Sequence, residues 1–242
     1  MIRSVVVAAC LGLSVVPVTA LACAPDALGT SRTLVLKREG AAYGTAQHAA
    51  LPLQPGEVVL TFDDGPRAES TPPVLKALAD QCVKATFFMV GDNIAKHPDL
   101  ARQVEAAGHS TAMHSLTHLN MTQLSPEAQL GDLKTTQDIY TATFGHAAPA
   151  YRFPFLAESP TLMEALKAKT ITVMSVDLGI DDWLADQTPD ILTGRLLERL
   201  KAKGGGIILM HDGQDVTAAA LPQMLKALKA NGYKVVHIEW EK

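Results

Sequence analysis

Two adjacent carboxylates, Asp63 and Asp64, stand at the end of an apolar segment. Residues 58–62 are rich in β-forming types and run directly into the turn sequence Asp-Asp-Gly-Pro at 63–66. Because neighbouring side chains of an extended chain point in different directions, one carboxylate can hold a metal ion while the other moves a proton. Asp-Gly-Pro is also ordinary turn chemistry, so a solvated turn explains the same residues.

A pair of histidines four residues apart, His114 and His118, is the second candidate for chemistry. If this stretch forms a helical turn, both imidazoles lie on one face. Two imidazoles and one carboxylate leave positions open on an ion such as zinc, which is the pattern of a catalytic zinc site. Such a pair alone more often consists of two solvent-exposed side chains, but its place after a strand, like that of Asp63-Asp64, strengthens the metal hypothesis.

Three further polar positions follow predicted strands. His211 ends an apolar strand, where an imidazole can donate a proton to a leaving amine, although a histidine at the core edge with a local hydrogen bond fits equally. One of the adjacent Asp181 and Asp182 can orient His211 and stabilise its charge. Arg152 can pair with the proton-accepting aspartate and keep it ionised.

The elements that must position these residues alternate between strand and helix. Thr71 is the predicted N-cap of the first helix, and Pro98 interrupts a helical region at 91–107. Strands separated by helices predict parallel βα units, about seven of them, in a closed or nearly closed barrel with the active site in the loops after the strands. Strands are predicted at 58–62, 85–90, just before His114, 151–155, 170–176, 206–211 and 234–240, and the other helices at 71–80, 126–144, 160–167, 189–203 and 218–231.

Residues 1–22 have the pattern of a secretory signal peptide: one basic residue, an apolar run and an Ala-Leu-Ala end. A retained membrane anchor is the alternative, but Pro17 and the short apolar run favour cleavage. Residues 23–56 are predicted to be an N-terminal extension with one short strand at Thr33–Lys37. We therefore expect an exported protein, periplasmic or secreted, without a stable membrane span after cleavage.

Two cysteines, Cys23 and Cys82, lie beyond the predicted signal peptide. They can form a disulfide in an oxidising compartment, or Cys82 can be buried with Cys23 free. Lipid attachment at Cys23 is a third alternative, although Ala20 stands where a lipobox usually has Leu. The net charge of -4 and the absence of a long basic run argue against nucleic acid as a partner. The oligomeric state stays open.

The five segments that contain the candidate residues Asp63-Asp64, His114 and His118, Arg152, Asp181-Asp182 and His211 resemble, in this order, the motifs of a known family. That family is the NodB-homology polysaccharide deacetylases, carbohydrate esterase family 4. The resemblance implies a single α/β domain at residues 57–242, a distorted (β/α) barrel of about seven parallel strands. It implies a hydrolase of non-peptide carbon–nitrogen bonds that removes acetate from N-acetylated sugars in an N-acetylglucosamine-containing polysaccharide or oligosaccharide. The matching segments are 61–66, 114–118, 152–155, 181–183 and 209–211.

The resemblance also assigns the metal site and the base. Asp64, His114 and His118 would hold a divalent cation, usually zinc, although cobalt, nickel or manganese suits the same ligands. Asp63 would be the general base, and Arg152 would tether it.

The acid and the substrate pocket follow from the same resemblance. His211 would be the general acid, with Asp182 as its partner. The backbone N–H of Phe155 would help to stabilise the oxyanion. Trp183 and Leu209 would line the pocket for the acetyl methyl group.

Two segments depart from the family pattern. Leu156 follows Phe155, where the family usually has glycine, and the stretch 177–183 is longer than its counterpart. Asp181 could therefore replace Asp182 as the partner of His211. These departures affect the predicted substrate choice more than the predicted catalysis.

Two other functions compete with deacetylation. An amidohydrolase of the same fold could act on a non-sugar amide, because fold does not decide substrate and aromatic residues are only 5% of the chain. A non-catalytic carbohydrate-binding protein could hold the same metal, but it would need neither an acid nor a base. The remaining histidines are interpreted as surface or edge residues: His48, His97, His109, His146 and His237.

Overall fold

The computed structural model describes residues 23–241. The predicted signal peptide at 1–22, and its alternative as a membrane anchor, lie outside the described residues. Within 23–241, none of the helices has both the length and the apolar character that a membrane span requires.

The described residues alternate between short strands and helices. The strands are β1 (Thr30–Leu36), β2 (Ala42–Tyr43), β3 (Glu57–Asp63), β4 (Thr86–Met89), β5 (Ser110–Met113), β6 (Ala150–Tyr151), β7 (Thr172–Met174), β8 (Leu178–Gly179), β9 (Gly206–His211) and β10 (Lys234–Trp240). The α-helices are α1 (Thr71–Asp80), α2 (Gly91–Lys96), α3 (Pro98–Ala106), α4 (Pro126–Phe144), α5 (Pro160–Ala168), α6 (Pro189–Lys203) and α7 (Asp215–Ala230).

Strands β3 to β9 are parallel and wind into a distorted barrel. Strands β3 to β7 lie side by side in chain order, β8 pairs with β9, and β9 pairs with β3. Strands β7 and β8 belong to one short segment, 172–179, whose first part pairs with β6 and whose second part pairs with β9. The segment therefore bridges the two sides of the ring, and the predicted α/β architecture is confirmed.

Strand β10 crosses the end of the barrel at which the strands begin. It pairs with the first two residues of β3 and then leaves the ring to pair with β1. Val236 and Ile238 of β10 join the apolar cluster inside the barrel, and Trp240 Nε1 donates to Thr172 Oγ1 at 2.9 Å. Apolar side chains fill this end of the barrel, where the strands begin. The polar side chains that follow the strands lie at the opposite end, where the strands finish.

Helix ends follow ordinary capping chemistry. Ser125 and Thr188 cap α4 and α6 through their hydroxyl oxygens, and Gly145 ends α4 in the left-handed region at φ 78°. The prediction for α1 was wrong by one residue, because Ser70 is the N-cap and Thr71 is the first helical residue.

Several local predictions need correction. Residues 151–155 are extended only at Ala150–Tyr151 and then turn through a short 3₁₀ helix at Pro154–Leu156. The two-residue strands β2 and β8 were missed, since so few residues leave no periodic pattern. His109 and His237 are 5% and 4% exposed, so their interpretation as surface or edge residues was wrong.

The N-terminal extension is part of the same sheet. Strand β1 pairs with β10, β2 pairs with β7, and Cys23 forms a disulfide with Cys82 at an S–S distance of 2.03 Å. Of the three alternatives for Cys23, the structure therefore has the disulfide, and not a free thiol or a thiol with an attached lipid. The division of the chain between residues 56 and 57 stays a prediction about domain organisation.

Candidate active site

Five of the predicted site residues lie at or just after the C-terminal ends of strands in the barrel. Asp63 ends β3, His114 follows β5, Arg152 follows β6 and His211 ends β9, while Asp64 begins the turn after β3. Parallel pairing brings these ends to one face of the barrel, which is where ligand sites form in β/α folds. The structure thus brings together residues that are up to 148 positions apart, from Asp63 to His211.

The predicted metal ligands form a compact cluster. Asp64 Oδ1 lies 3.5 Å from His114 Nε2 and 3.3 Å from His118 Nε2, and one ligand atom of each residue lies within 4.8 Å of the others. The histidines do not sit on a helical turn, contrary to the simplest reason for their spacing. Ser115 and His118 are instead in the left-handed region, and Ser115 Oγ accepts from the His118 N–H at 2.9 Å.

Hydrogen bonding prepares the cluster for a cation. His114 Nδ1 is 2.8 Å from the carbonyl of Arg152, and because a carbonyl can only accept, Nδ1 carries the proton. The lone pair of Nε2 is therefore free toward Asp64. Oδ1 of Asp64 is buried and has no hydrogen-bond partner among the described residues. Such an oxygen facing two imidazole nitrogens fits a divalent metal ion of the zinc type.

The Asp64 carboxylate is ionised. Burial opposes its charge, but the close approach of His114 and the electrostatic influence of His211 and His118 outweigh burial and lower its pKa to about 2. The backbone carbonyl of Asp64 also accepts from Asn93 Nδ2 at 2.7 Å. The ligand is thus charged and its main chain is held from α2.

Asp63 is held by a fully buried arginine. Arg152 Nη1 donates to Asp63 Oδ1 at 2.7 Å and to Thr61 Oγ1 at 2.8 Å, and the guanidinium carbon lies 4.0 Å from the centroid of the Phe88 ring. Nε donates to the carbonyl of Met174 at 2.9 Å. Burial lowers the pKa of Arg152, whereas the charge of Asp63 and its hydrogen bond with Arg152 oppose that shift. The Asp63 carboxylate therefore stabilises the charge of the buried guanidinium.

His211 is paired with Asp182. His211 Nδ1 lies 2.7 Å from Asp182 Oδ1, while Asp182 Oδ2 accepts from the His211 N–H at 2.8 Å and from Thr217 Oγ1 at 2.5 Å. Burial opposes protonation of His211, but the hydrogen bond with Asp182 and the negative charges of Asp182, Asp63 and Asp64 raise its pKa to about 9. The imidazole is therefore protonated at neutral pH.

Asp181 points to a different cation. Its carboxylate accepts from Arg199 at 2.8 and 2.5 Å, and that hydrogen bond lowers the pKa of Asp181. Of the two adjacent aspartates, Asp182 is thus the one bound to His211.

Three less polar residues stand around the charged groups. The ring of Phe155 is 66% exposed and meets His118 edge-to-face at 4.7 Å between centroids. Trp183 is half exposed and meets His211 in the same manner at 5.4 Å. A methyl group placed on Gly179 would lie 3.8 Å from both Leu209 and Trp183, so these two side chains border one space.

Sequence reasoning missed Asp212. Its buried carboxylate accepts from the Gly65 N–H at 3.0 Å and from Thr71 Oγ1 at 2.5 Å, and burial raises its pKa to about 7. A side chain on Gly65 would come within 2.1 Å of Asp212, so only glycine allows this approach. Asp212 therefore fixes the turn that carries Asp64, and its place directly after His211 was the available signal.

The loop between the two histidine ligands has a similar support. The buried carboxylate of Asp132 in α4 accepts from the Leu116 N–H at 3.1 and 3.2 Å. No local pattern in the sequence distinguishes Asp132 from the other polar residues of that helix.

Residues 51–174, about half of the chain, match the family model described as "Polysaccharide deacetylase". The chain belongs to the polysaccharide deacetylase family. A peptidoglycan-N-acetylglucosamine deacetylase of Listeria monocytogenes is 34% identical over 182 residues, covering 75% of this chain and 38% of that protein. A chitooligosaccharide deacetylase of Rhizobium leguminosarum bv. trifolii is 30% identical over 194 residues, covering 74% of this chain and 88% of that protein.

A solved structure of a Bdellovibrio bacteriovorus peptidoglycan deacetylase is similar over most of the chain. It superposes with a TM-score of 0.80 at 28% identity, covering 90% of this chain and 61% of that chain. Among the relatives found by sequence, the chain spans only 38% of the length of the Listeria protein but 88% of the Rhizobium protein. The resemblance inferred from the motifs is confirmed at the level of the family.

Proposed function

We propose that the chain is a metal-dependent hydrolase that removes acetyl groups from N-acetylglucosamine units of a polysaccharide or oligosaccharide and releases acetate. One observation carries the proposal. The Asp64, His114 and His118 cluster lies between a carboxylate held by Arg152 and an imidazole that Asp182 keeps protonated. A base, an acid and a cation site on one face are what amide hydrolysis requires.

The metal site is assigned to Asp64, His114 and His118. A divalent ion held there would supply Lewis acidity toward the amide carbonyl and the attacking water. Zinc is the expected ion, and cobalt, nickel and manganese suit the same one-carboxylate, two-imidazole ligand set.

Asp63 is assigned as the general base. Its Oδ1 is occupied by Arg152, and its Oδ2 lies 3.7 Å from His114 Nε2, on the side of the cluster. Oδ2 takes the proton of the attacking water, while Arg152 holds the carboxylate in one orientation. Because the guanidinium stays charged, the pair keeps Asp63 ready to accept the proton.

His211 is assigned as the general acid. Its Nδ1 is committed to Asp182, so Nε2 is the atom that gives a proton to the departing amine. The backbone N–H of Phe155 stabilises the oxyanion, a contribution worth about 3–4 kcal/mol for a well-placed donor. Trp183 and Leu209 border the acetyl methyl group.

The substrate class rests on the relatives. Proteins that share 30–34% identity with the chain are named peptidoglycan-N-acetylglucosamine or chitooligosaccharide deacetylases. Such glycans lie outside the cytoplasm, which agrees with the predicted signal peptide and with the disulfide of the described chain. We therefore propose that the protein acts in the periplasm or outside the cell.

Acetate release from N-acetylglucosamine oligomers by purified protein tests the proposal. Release should cease with a chelator and return when zinc is restored. Asp63→Asn should lose at least about 100-fold in rate while it retains bound zinc, since a positioned base contributes roughly that much. Zinc binding without acetate release from any oligomer would contradict the proposal and favour a non-catalytic carbohydrate-binding protein. Turnover of simple amides as fast as that of N-acetylglucosamine oligomers would favour the non-sugar amidohydrolase.

A further inference from the structure

The loop at residues 153–158, which carries Phe155, has an unfavourable backbone conformation. Phe155 and Leu156 have φ angles of 57° and 54°, and neither is glycine. Each residue in this region costs about 1–2 kcal/mol, so surrounding contacts must hold the loop. Burial of the Phe155 ring does not do so, because that ring is 66% exposed.

Contacts from the N-terminal extension hold the loop. His48 Nε2 lies 2.6 Å from Glu158 Oε1, and both side chains are less than one-fifth exposed. Gln47 Nε2 donates to the carbonyl of Leu156 at 2.8 Å. Two consecutive residues of the extension thus bind the loop at positions 156 and 158.

Gln47 also reaches the arginine that holds the proposed base. Its Oε1 accepts from Ser175 Oγ at 2.6 Å, and the carbonyl of Ser175 accepts from Arg152 Nη2 at 3.2 Å. A continuous set of hydrogen bonds therefore runs from Asp63 through Arg152, Ser175 and Gln47 to the loop beside Phe155.

The segment 44–49, which contains both residues, is itself fixed to the barrel. The Ala46 N–H donates to the carbonyl of Val176 at 2.9 Å, and the Thr45 N–H donates to Asp177 Oδ1 at 2.7 Å. Gly44 has φ 110°, and a side chain there would come within 2.5 Å of the Ser175 and Val176 backbone. Glycine at this position allows the segment to lie directly against the end of β7.

We propose that Gln47 and His48 are positioning residues that hold the 153–158 loop in its active shape, so that the N-terminal extension is part of the catalytic unit. The inference rests on the proposed deacetylase function. Both residues precede residue 51, where the match to the family begins. They act through the loop and touch neither the metal cluster nor the acid.

The double variant Gln47→Ala/His48→Ala tests the inference through acetate release from N-acetylglucosamine oligomers. We expect kcat to fall at least about tenfold while KM and zinc content stay nearly unchanged, because a displacement of about 1 Å can cost about 100-fold in rate. Tm should fall slightly, since the lost contacts hold a strained loop. His48→Gln keeps a donor toward Glu158 and should retain more activity than His48→Ala.

Two control variants match the test residues. His146→Ala removes another histidine–glutamate pair, with Glu105 at 2.8 Å, and Gln54→Ala removes another exposed glutamine of the extension. Neither should change kcat. An unchanged kcat in the double variant overturns the inference. A loss of activity that accompanies loss of zinc also overturns it, since the two residues then support the metal site and not the loop.

Hydrogen exchange separates this inference from the proposed function. In the double variant, amides of residues 153–158 should exchange faster, whereas the control variants should match the unmodified protein. If the unmodified protein releases no acetate, the proposed function fails and the exchange result alone decides whether these residues hold the loop. Unchanged exchange would overturn the inference whatever the activity.

Discussion

The two sides of the site hold their carboxylates in opposite ways. Asp63 and Asp182 are 2% and 1% exposed, and each is bound to a cation at 2.7 Å. The partner of Asp63 is Arg152, which stays charged at any pH the protein meets, whereas the partner of Asp182 is His211, which titrates. The two pairs are alike in burial and distance, but the positive charge of Arg152 is fixed, whereas that of His211 depends on pH.

The difference has a functional meaning under the proposed mechanism. A base must be held in one orientation whenever substrate is present, and the Arg152 guanidinium holds the Asp63 carboxylate in this way. An acid must give up its proton and regain it, which requires a group whose pKa lies within reach of the working pH. The arginine side is therefore expected to control stability, and the histidine side is expected to control pH dependence.

Arg152→Met should have the largest effect on stability. It would leave the Asp63 carboxylate buried without its counter-charge, and breaking a buried pair costs about 3–5 kcal/mol. Urea unfolding at pH 7 measures the change. The matched control is Arg199→Met, which removes the more exposed partner of Asp181 and should cost at most about 1 kcal/mol. Equal losses in both variants would contradict the assigned contrast between the pairs.

Asp182→Asn should change the pH dependence of activity. His211 is active as an acid only when protonated, so activity falls as pH rises through its pKa of about 9. Without the Asp182 charge, this alkaline limit should move toward 6.5, the ordinary value of histidine. The pH–rate profile of kcat measures the shift. A bound divalent cation lowers the limit in both proteins, so the difference between them is the informative quantity.

Two further results bear on the same prediction. Asp181→Asn should leave the alkaline limit in place, because Asp181 is bound to Arg199 and not to His211. The raised pKa also stabilises the fold below pH 6.5, and this contribution disappears as pH rises through about 9. A profile that moves equally in both aspartate variants would refute the assignment of Asp182.

The sequence was sufficient to bring the candidate site residues together, because each is a polar residue at or just after the end of an apolar strand. Asp63, Asp64, His114, Arg152 and His211 all stand out in this way, and parallel strands bring their ends together. The alternation of strands and helices likewise predicted the architecture, since it follows from local periodicity.

The supporting contacts could not be predicted because they join distant loops. Gln47 meets Leu156 across 109 positions, and Asp212 meets Gly65 across 147. Nothing in the neighbouring residues of either partner specifies the other. The sequence left the choice between Asp181 and Asp182 open for a related reason, because adjacent residues in an irregular loop have no fixed direction.

A third ion pair, Arg32–Glu57, extends the comparison to the start of β3. Glu57 accepts from Arg32 at 2.8 and 2.7 Å and from the Gln54 N–H at 2.7 Å. The hydrogen bond from Arg32 is the main cause that lowers the pKa of Glu57 to about 2. Here the carboxylate is buried but the side chain of Arg32 is 35% exposed, so water weakens the pair.

Glu57→Gln should therefore have the smallest effect, a loss of roughly 1 kcal/mol in the free energy of unfolding at pH 7. Because the pKa of Glu57 is lowered from 4.5 to about 2, its stabilisation is complete above pH 4.5 and is lost as pH falls toward 2. Urea unfolding at pH 7 and near pH 2.5 measures the difference between variant and unmodified protein, which should shrink at the lower pH. A loss as large as that of Arg152→Met would mean that partial exposure does not weaken the pair, and the contrast drawn from burial would fail.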